Sequence, residues 1–120
     1  DVVTVDADGF TTIVDRKKDM IITGGFNVSP SEVEQELLRH DAIADVAVVG
    51  IPTGQGDEEV VAAVVLADGQ TLDNDEMRTW AKQRLTAYKV PRRFIKVDEL
   101  PRSMLGKVLR EQVRQDLAVQ

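Results

Sequence analysis

Hydrophobic and polar positions along this chain fall into short blocks whose period changes several times. Val2 to Val5 and Phe10 to Val14 are β-rich runs on either side of Asp6-Ala7-Asp8-Gly9, a stretch suited to a tight turn, and together they predict a β-hairpin. Met20 to Ile22 reads as a short strand running into a Gly24-Gly25 loop. In Ser29-Pro30-Ser31-Glu32 the serine can cap the first free amides, proline suits the first helical position, and Glu32 can reach back as a capping box. A helix therefore starts there, with Val33, Leu37 and Leu38 on one face, and should end near His40.

Val46 to Ile51 and Glu59 to Ala67 are valine-rich strands separated by the turn-forming Pro52 to Asp57. Asp73 with Glu76 repeats the capping pattern, and Met77, Trp80, Ala81 and Leu85 follow at helical spacing, which places Trp80 in the core of a second amphipathic helix. Pro91 breaks the chain, Phe94 to Val97 supplies another strand, and Val108, Leu109, Val113 and Leu117 mark a last helix starting at Val108. The alternation predicts a small sheet covered by helices, in the α+β or α/β class.

Length and charge narrow the function. At 120 residues the chain is one small domain or a piece of a larger protein, and Asp1 in place of a start methionine points to the latter. Without cysteine, disulfides and thiolate metal sites are excluded. No apolar run has the length of a membrane span, so the expected compartment is the cytoplasm, with room for peripheral membrane association. A net charge of -6 argues against nucleic-acid binding. The positive residues nevertheless cluster at Arg16 to Lys18, Lys82 to Arg93 and Arg102 to Arg114, as basic patches on an acidic body suited to a small phosphorylated ligand.

Lys107 follows Gly106 and precedes the predicted last helix, whose positive end attracts phosphate or carboxylate. A lysine there adds a compact charge on a long stem, able to follow negative charge as it develops in phosphoryl or nucleotidyl transfer. The bland alternative is an ordinary surface lysine. Arg110 and Arg114, further along, are expected to be solvated or paired with Glu111 and Asp116. Asp15 to Asp19 lies between hairpin and strand with few apolar residues to fix it, where a hinge could absorb rotation, although alternating charge is also ordinary solubility chemistry. Gly24-Gly25 allows close backbone approach or positive φ, as any tight turn would. His40 is the sole histidine and no nucleophile is arranged with it, which makes a hydrolase triad improbable; a helix-terminal or surface role suits it better. Neither phosphate-loop nor dinucleotide-binding fingerprint is present, so autonomous binding of ATP or a dinucleotide is unsupported.

Taken together, Val14 to Val28, Pro30-Ser31-Glu32-Val33-Glu34, Tyr88-Lys89-Val90-Pro91 and Pro101 to Lys107 resemble the C-terminal portion of acyl-CoA synthetases of the adenylate-forming superfamily, across essentially the whole chain and in order. The resemblance implies an α+β lid domain: a sheet of about three strands flanked by helices and preceded by a β-hairpin. Residues 1–18 would belong to the end of a large N-terminal domain and the hinge, and residues 19–120 to the mobile lid. Such enzymes join a carboxylic acid to ATP, release pyrophosphate, and pass the acyl group from the acyl-adenylate to coenzyme A, the lid rotating between the two steps. By this resemblance Lys107 is the catalytic lysine of adenylation, and Asp1 and Arg16 contact the ribose of ATP. Lys18 is the hinge, and Gly24 and Gly25 line the pantetheine tunnel. Lys89, Arg92 and Arg93 are candidates for CoA phosphates on charge alone. ATP and magnesium would be held mainly by the N-terminal adenylation domain, the lid's partner, and no metal ligand is assigned here. An isolated lid should therefore be inactive. The motifs look more like fatty-acyl or aryl-CoA ligases than peptide-synthetase domains, with a fatty-acyl substrate placed first. An aryl-CoA ligase or luciferase-like enzyme is the alternative within the superfamily, and a noncatalytic binding module the alternative outside it.

Overall fold

The computed structural model describes residues 2–5, 12–15, 19–54 and 56–118. Strands β1 (Val2–Val5) and β2 (Thr12–Asp15) pair antiparallel, Val2 opposite Asp15, as the expected hairpin. A second two-stranded sheet is formed by β3 (Ile21–Thr23) and β4 (Phe26–Val28), with Ile21 opposite Val28 and Thr23 opposite Phe26. Gly24-Gly25, expected in a loop after a lone strand, are instead the turn between two strands.

Three strands make the main sheet, in the order β5 (Ile43–Pro52), β6 (Glu58–Leu66), β7 (Arg93–Lys96), the first pair antiparallel and the second parallel. The parallel pair requires a crossover, which α2 (Asn74–Lys82) supplies. Alternate residues of the strands serve opposite faces. Val46, Val48, Val60, Ala62, Val64 and Phe94 pack with Val33 and Leu37 of α1 (Pro30–Leu37) and Met77 and Ala81 of α2. Ala47, Val49, Val61 and Ala63 pack on Leu100 and on Val113 and Leu117 of α3 (Arg110–Ala118). Cover on both faces explains why β5 and β6 read as near-continuous apolar runs. Asn74 completes the outer edge of β7: its side-chain amide donates to the Phe94 carbonyl at 3.1 Å and accepts the Phe94 N–H at 2.7 Å.

Helix boundaries depart from the sequence reading for local reasons. Ser29 Oγ accepts the Glu32 N–H at 3.2 Å, as expected of a cap, but the Glu32 carboxylate turns away from the helix to Lys89. Helix α1 ends at Leu37, short of His40, because the N–H groups of Arg39 and His40 bond the carbonyls of Glu36 and Leu37 and tighten the winding to three residues per turn. Helix α3 starts at Arg110, since Val108 is held in a β-bridge to Arg102. Trp80 is half-buried at the rim of the core rather than within it, with the Arg84 guanidinium 4.2 Å from its ring centre and His40 edge-on at 4.9 Å. His40 Nδ1 accepts the Ala42 N–H at 3.0 Å, a turn-closing role beyond the helix end.

Candidate functional site

Two structures built on backbone geometry carry the candidate residues. The first is the β3–β4 turn. Gly24 and Gly25 have φ of +58° and +84°, the two consecutive left-handed residues of a tight hairpin whose twist matches its strands. A side chain would find room there, since a Cβ at Gly25 would meet nothing within 4 Å, so backbone conformation alone selects glycine. The turn is tied to the start of β6: the Gly24 N–H donates to Asp57 Oδ1 at 2.9 Å and the Ile22 N–H to Glu58 Oε1 at 3.0 Å. Phe26 stacks on Tyr88 with ring centres 4.3 Å apart.

Beside this turn lies a cleft of about 370 Å³, bordered by Gly24, Phe26, Tyr88, Arg78, Lys82 and Arg92 among others. It brings Gly24 together with Arg92, two of the residues singled out from sequence. Arg78 and Lys82 join them from α2, four residues apart on one helix face. Lys82 already belonged to the basic cluster legible in the sequence, but Arg78 did not, and only the i, i+4 spacing could have paired the two. The other two phosphate candidates are engaged elsewhere. Lys89 Nζ lies 2.6 Å from Glu32 Oε1, and this bond holds its ammonium above the ordinary 10.5 of lysine, burial opposing and the Glu32 charge assisting. Arg93 pairs with Glu59 at 2.7 Å.

The second structure is the loop that carries Lys107. Its ends are bridged at Arg102 and Val108, Ser103 N–H donates to the Lys107 carbonyl at 2.8 Å, and Gly106 N–H to the Ser103 carbonyl at 2.9 Å. Gly106 adopts φ +83°. Ser103 Oγ accepts the N–H groups of Leu105 and Lys107, both at 3.3 Å. Arg102 then fixes the loop to the sheet, donating to the Gly106 carbonyl at 2.8 Å and to Asp45 at the start of β5. Lys107 therefore sits exposed on a closed loop, three positions before α3, rather than at the helix N-terminus expected from sequence. Its ammonium enters no ion pair among the described residues, while Met104 and Leu105 at the loop tip stand in solvent.

Helix α3 itself is secured by Arg110, expected from the sequence in solvent or paired with Glu111 and Asp116. Arg110 instead reaches across to α1, gripping Glu34 at 2.7 and 3.2 Å and Ser31 at 3.3 Å, while Glu34 Oε2 also accepts the Val48 N–H at 2.8 Å. Arg114 pairs with Glu111 at 2.7 Å, as expected. Asp1, Arg16 and Lys18, the ribose and hinge candidates, lie outside the described residues.

The two structures occupy opposite ends of the main sheet. The glycine turn hangs from Asp57 and Glu58, at the end where Pro52 faces Glu58, and the lysine loop hangs from Asp45, near the other end. Asp45 and Pro52 lie seven positions apart along β5, about 23 Å at roughly 3.3 Å per residue.

A small sheet with helices on both faces, a glycine turn at one end and a Gly-Lys loop at the other define the class. The chain belongs to the AMP-binding enzyme C-terminal domain family, whose model matches residues 32–107. Among individual proteins, a long-chain-fatty-acid–CoA ligase of Salmonella typhimurium is 44% identical over 116 residues, covering 97% of this chain and 20% of that protein. A feruloyl-CoA synthase of Amycolatopsis sp is 46% identical over 114 residues, 95% of this chain and 23% of that protein. The ATP-bound crystal structure of MatB from Rhodopseudomonas palustris superposes with a TM-score of 0.85 at 36% identity, over 95% of this chain and 23% of that one. The chain thus spans about a fifth of the length of the curated relatives it matches.

Proposed function

We propose that this chain is the mobile C-terminal lid of an AMP-forming acyl-CoA ligase, residues 19–120 turning about the segment near Lys18 against a large N-terminal domain. The observation that carries the reading is the placement of two unlike working structures at opposite ends of one rigid sheet. A reaction in two chemical steps at a single site can use such a body by presenting first one end, then the other.

In the first step an oxygen of the acid's carboxylate attacks the α-phosphorus of ATP and pyrophosphate leaves, giving the acyl-adenylate. Negative charge accumulates on the phosphoryl oxygens, and the Lys107 ammonium, preorganised on its hydrogen-bonded loop, stabilises it. The apolar Met104-Leu105 tip suits a loop that enters a cleft of the partner domain. Asp1 and Arg16 hold the ribose in this reading. In the second step the CoA thiol attacks the acyl carbonyl and AMP leaves. The Gly24-Gly25 turn, bare of side chains, borders the path of the pantetheine arm, and the adjoining cleft receives CoA phosphates. Arg92 serves there with Lys82; Arg78, Lys89 and Arg93 would first have to release Asp75, Glu32 and Glu59. In this reading magnesium accompanies ATP in the partner domain.

A fatty acid is the substrate proposed first, on the 44% identity to a long-chain-fatty-acid–CoA ligase. The comparable identity to a feruloyl-CoA synthase favours an aryl acid as second reading, and turnover of the full-length ligase on a panel of both acids decides between them. The site reading is tested in the same enzyme with Lys107→Ala. Pyrophosphate exchange into ATP should fall by about 10²–10³, the usual effect of losing one such donor. Transfer from supplied acyl-adenylate to CoA should persist; equal loss of both steps would refute the assignment.

A further inference from the structure

We infer that Asp57 and Glu58 are positioning residues for thioester formation, acting as a two-carboxylate latch on the glycine turn. The inference rests on the reading that this turn borders the thiol path. Strands β3 and β4 form a sheet of their own, with no backbone ladder to β5, β6 or β7. No backbone ladder therefore sets the orientation of the turn against the main sheet. Ile21 and Val28 anchor the base of the hairpin in the core, but the turn itself lies beyond them and is exposed.

Phe26, next to the turn, stacks on Tyr88, and the backbone amides of the turn side of β3 are met by the pair of adjacent carboxylates at the start of β6. They accept the N–H groups of Ile22 and Gly24, which are two residues apart and so leave the strand along the same edge. Charged acceptors make these bonds stronger than neutral ones. The loop before β6 is itself closed, Thr53 bonding the Asp57 carbonyl through both its N–H, at 2.9 Å, and its hydroxyl, at 3.1 Å. Gly50, on the neighbouring strand, leaves the space the latch needs. A Cβ there would lie 3.0 Å from the Glu58 carboxylate and 3.0 Å from Ile21, pressing on both halves of the contact. Three residues without a place in the chemistry thus converge on the position of one turn.

The test uses the full-length ligase that carries this domain, measuring pyrophosphate exchange and transfer of supplied acyl-adenylate to CoA separately. In Asp57→Ala, Glu58→Ala and Gly50→Ala the ratio of transfer to exchange should fall by about 10- to 100-fold, the scale of an ångström-level misplacement. Asp57→Asn and Glu58→Gln keep an acceptor oxygen and should recover most of it. In the 120-residue chain, amide exchange at Ile22 and Gly24 should accelerate in the alanine variants while the Trp80-reported unfolding midpoint shifts little. An unchanged ratio, or equal loss of both steps, overturns the latch. Gly25→Asn, which tolerates positive φ but adds a side chain, separates the two ideas. If it lowers the ratio and the latch variants do not, only the latch is wrong; if it too leaves the ratio unchanged, the reading of the turn fails first.

Discussion

The Arg110–Glu34 pair gives the sharpest stability prediction. The two side chains are 14% and 13% exposed, and their contact joins α3 to α1 around the edge of the main sheet at β5. Desolvating both ions offsets much of their attraction, so the pair as a whole adds little over a well-packed apolar substitute. Removing one member is different, because a largely buried charge then loses the counter-charge it grips through two hydrogen bonds, at about 3–5 kcal/mol in buried pairs. Residual exposure places Arg110→Met near the low end, about 3 kcal/mol. Glu34→Met should cost a similar amount, since it also deprives the Val48 N–H of its acceptor. The double variant removes both charges and leaves mainly the Val48 N–H without its acceptor, so it should cost about 1–3 kcal/mol rather than 6, a coupling of roughly 3–5 kcal/mol. Urea unfolding followed through Trp80, the sole tryptophan, reads these directly: at an m-value of about 2 kcal/mol/M each single change moves the midpoint by about 1.5 M. A single-variant cost below about 0.5 kcal/mol, or additive costs in the double, would refute the clamp.

Further consequences follow from the same geometry. Because its pKa in the folded chain is raised by the Glu32 bond, Lys89 adds stability that is fully present below the ordinary 10.5 and lost as pH rises through the higher folded value; NMR titration of its Nζ should show this, and Glu32→Gln should abolish the raised pKa. Asn74→Ala removes both bonds to the edge of β7 and should cost about 1–3 kcal/mol in urea unfolding, with no change at the glycine turn. Gly106→Ala forces a left-handed alanine and should destabilise by about 1–2 kcal/mol while slowing pyrophosphate exchange in the full-length ligase, since the loop that presents Lys107 is strained.

Much of this architecture was legible in the sequence because its signals are local. Ser29-Pro30 and Asp73 cap helices where the pattern placed them, and Val46 to Ile51 marked a sheet strand. What escaped depends on partners far along the chain. Arg110 grips Glu34 from 76 positions away, Asp57 holds Gly24 from 33, and Lys89 leaves its own neighbourhood for Glu32, 57 positions back. Helical spacing cannot see such pairs, so it offered Arg110 only Glu111 and Asp116. Strand β4 was missed because three residues after a glycine pair carry almost no periodicity. Among the candidate residues, sequence placed Lys107 on the right segment but in the wrong setting, at a helix end instead of on a bridged loop. It grouped Lys89, Arg92 and Arg93 by charge, where the fold pairs Lys89 and Arg93 with carboxylates and turns Arg92 to the cleft with Arg78 and Lys82.

The division of labour between the two ends of the sheet is tested most directly by placing Lys107→Ala and Gly25→Asn separately in the full-length ligase and measuring both half-reactions for each. The account predicts opposite partition: the lysine variant loses pyrophosphate exchange and keeps acyl transfer to CoA, and the glycine variant does the reverse. Two variants that impair the same half-reaction, or both equally, would contradict it.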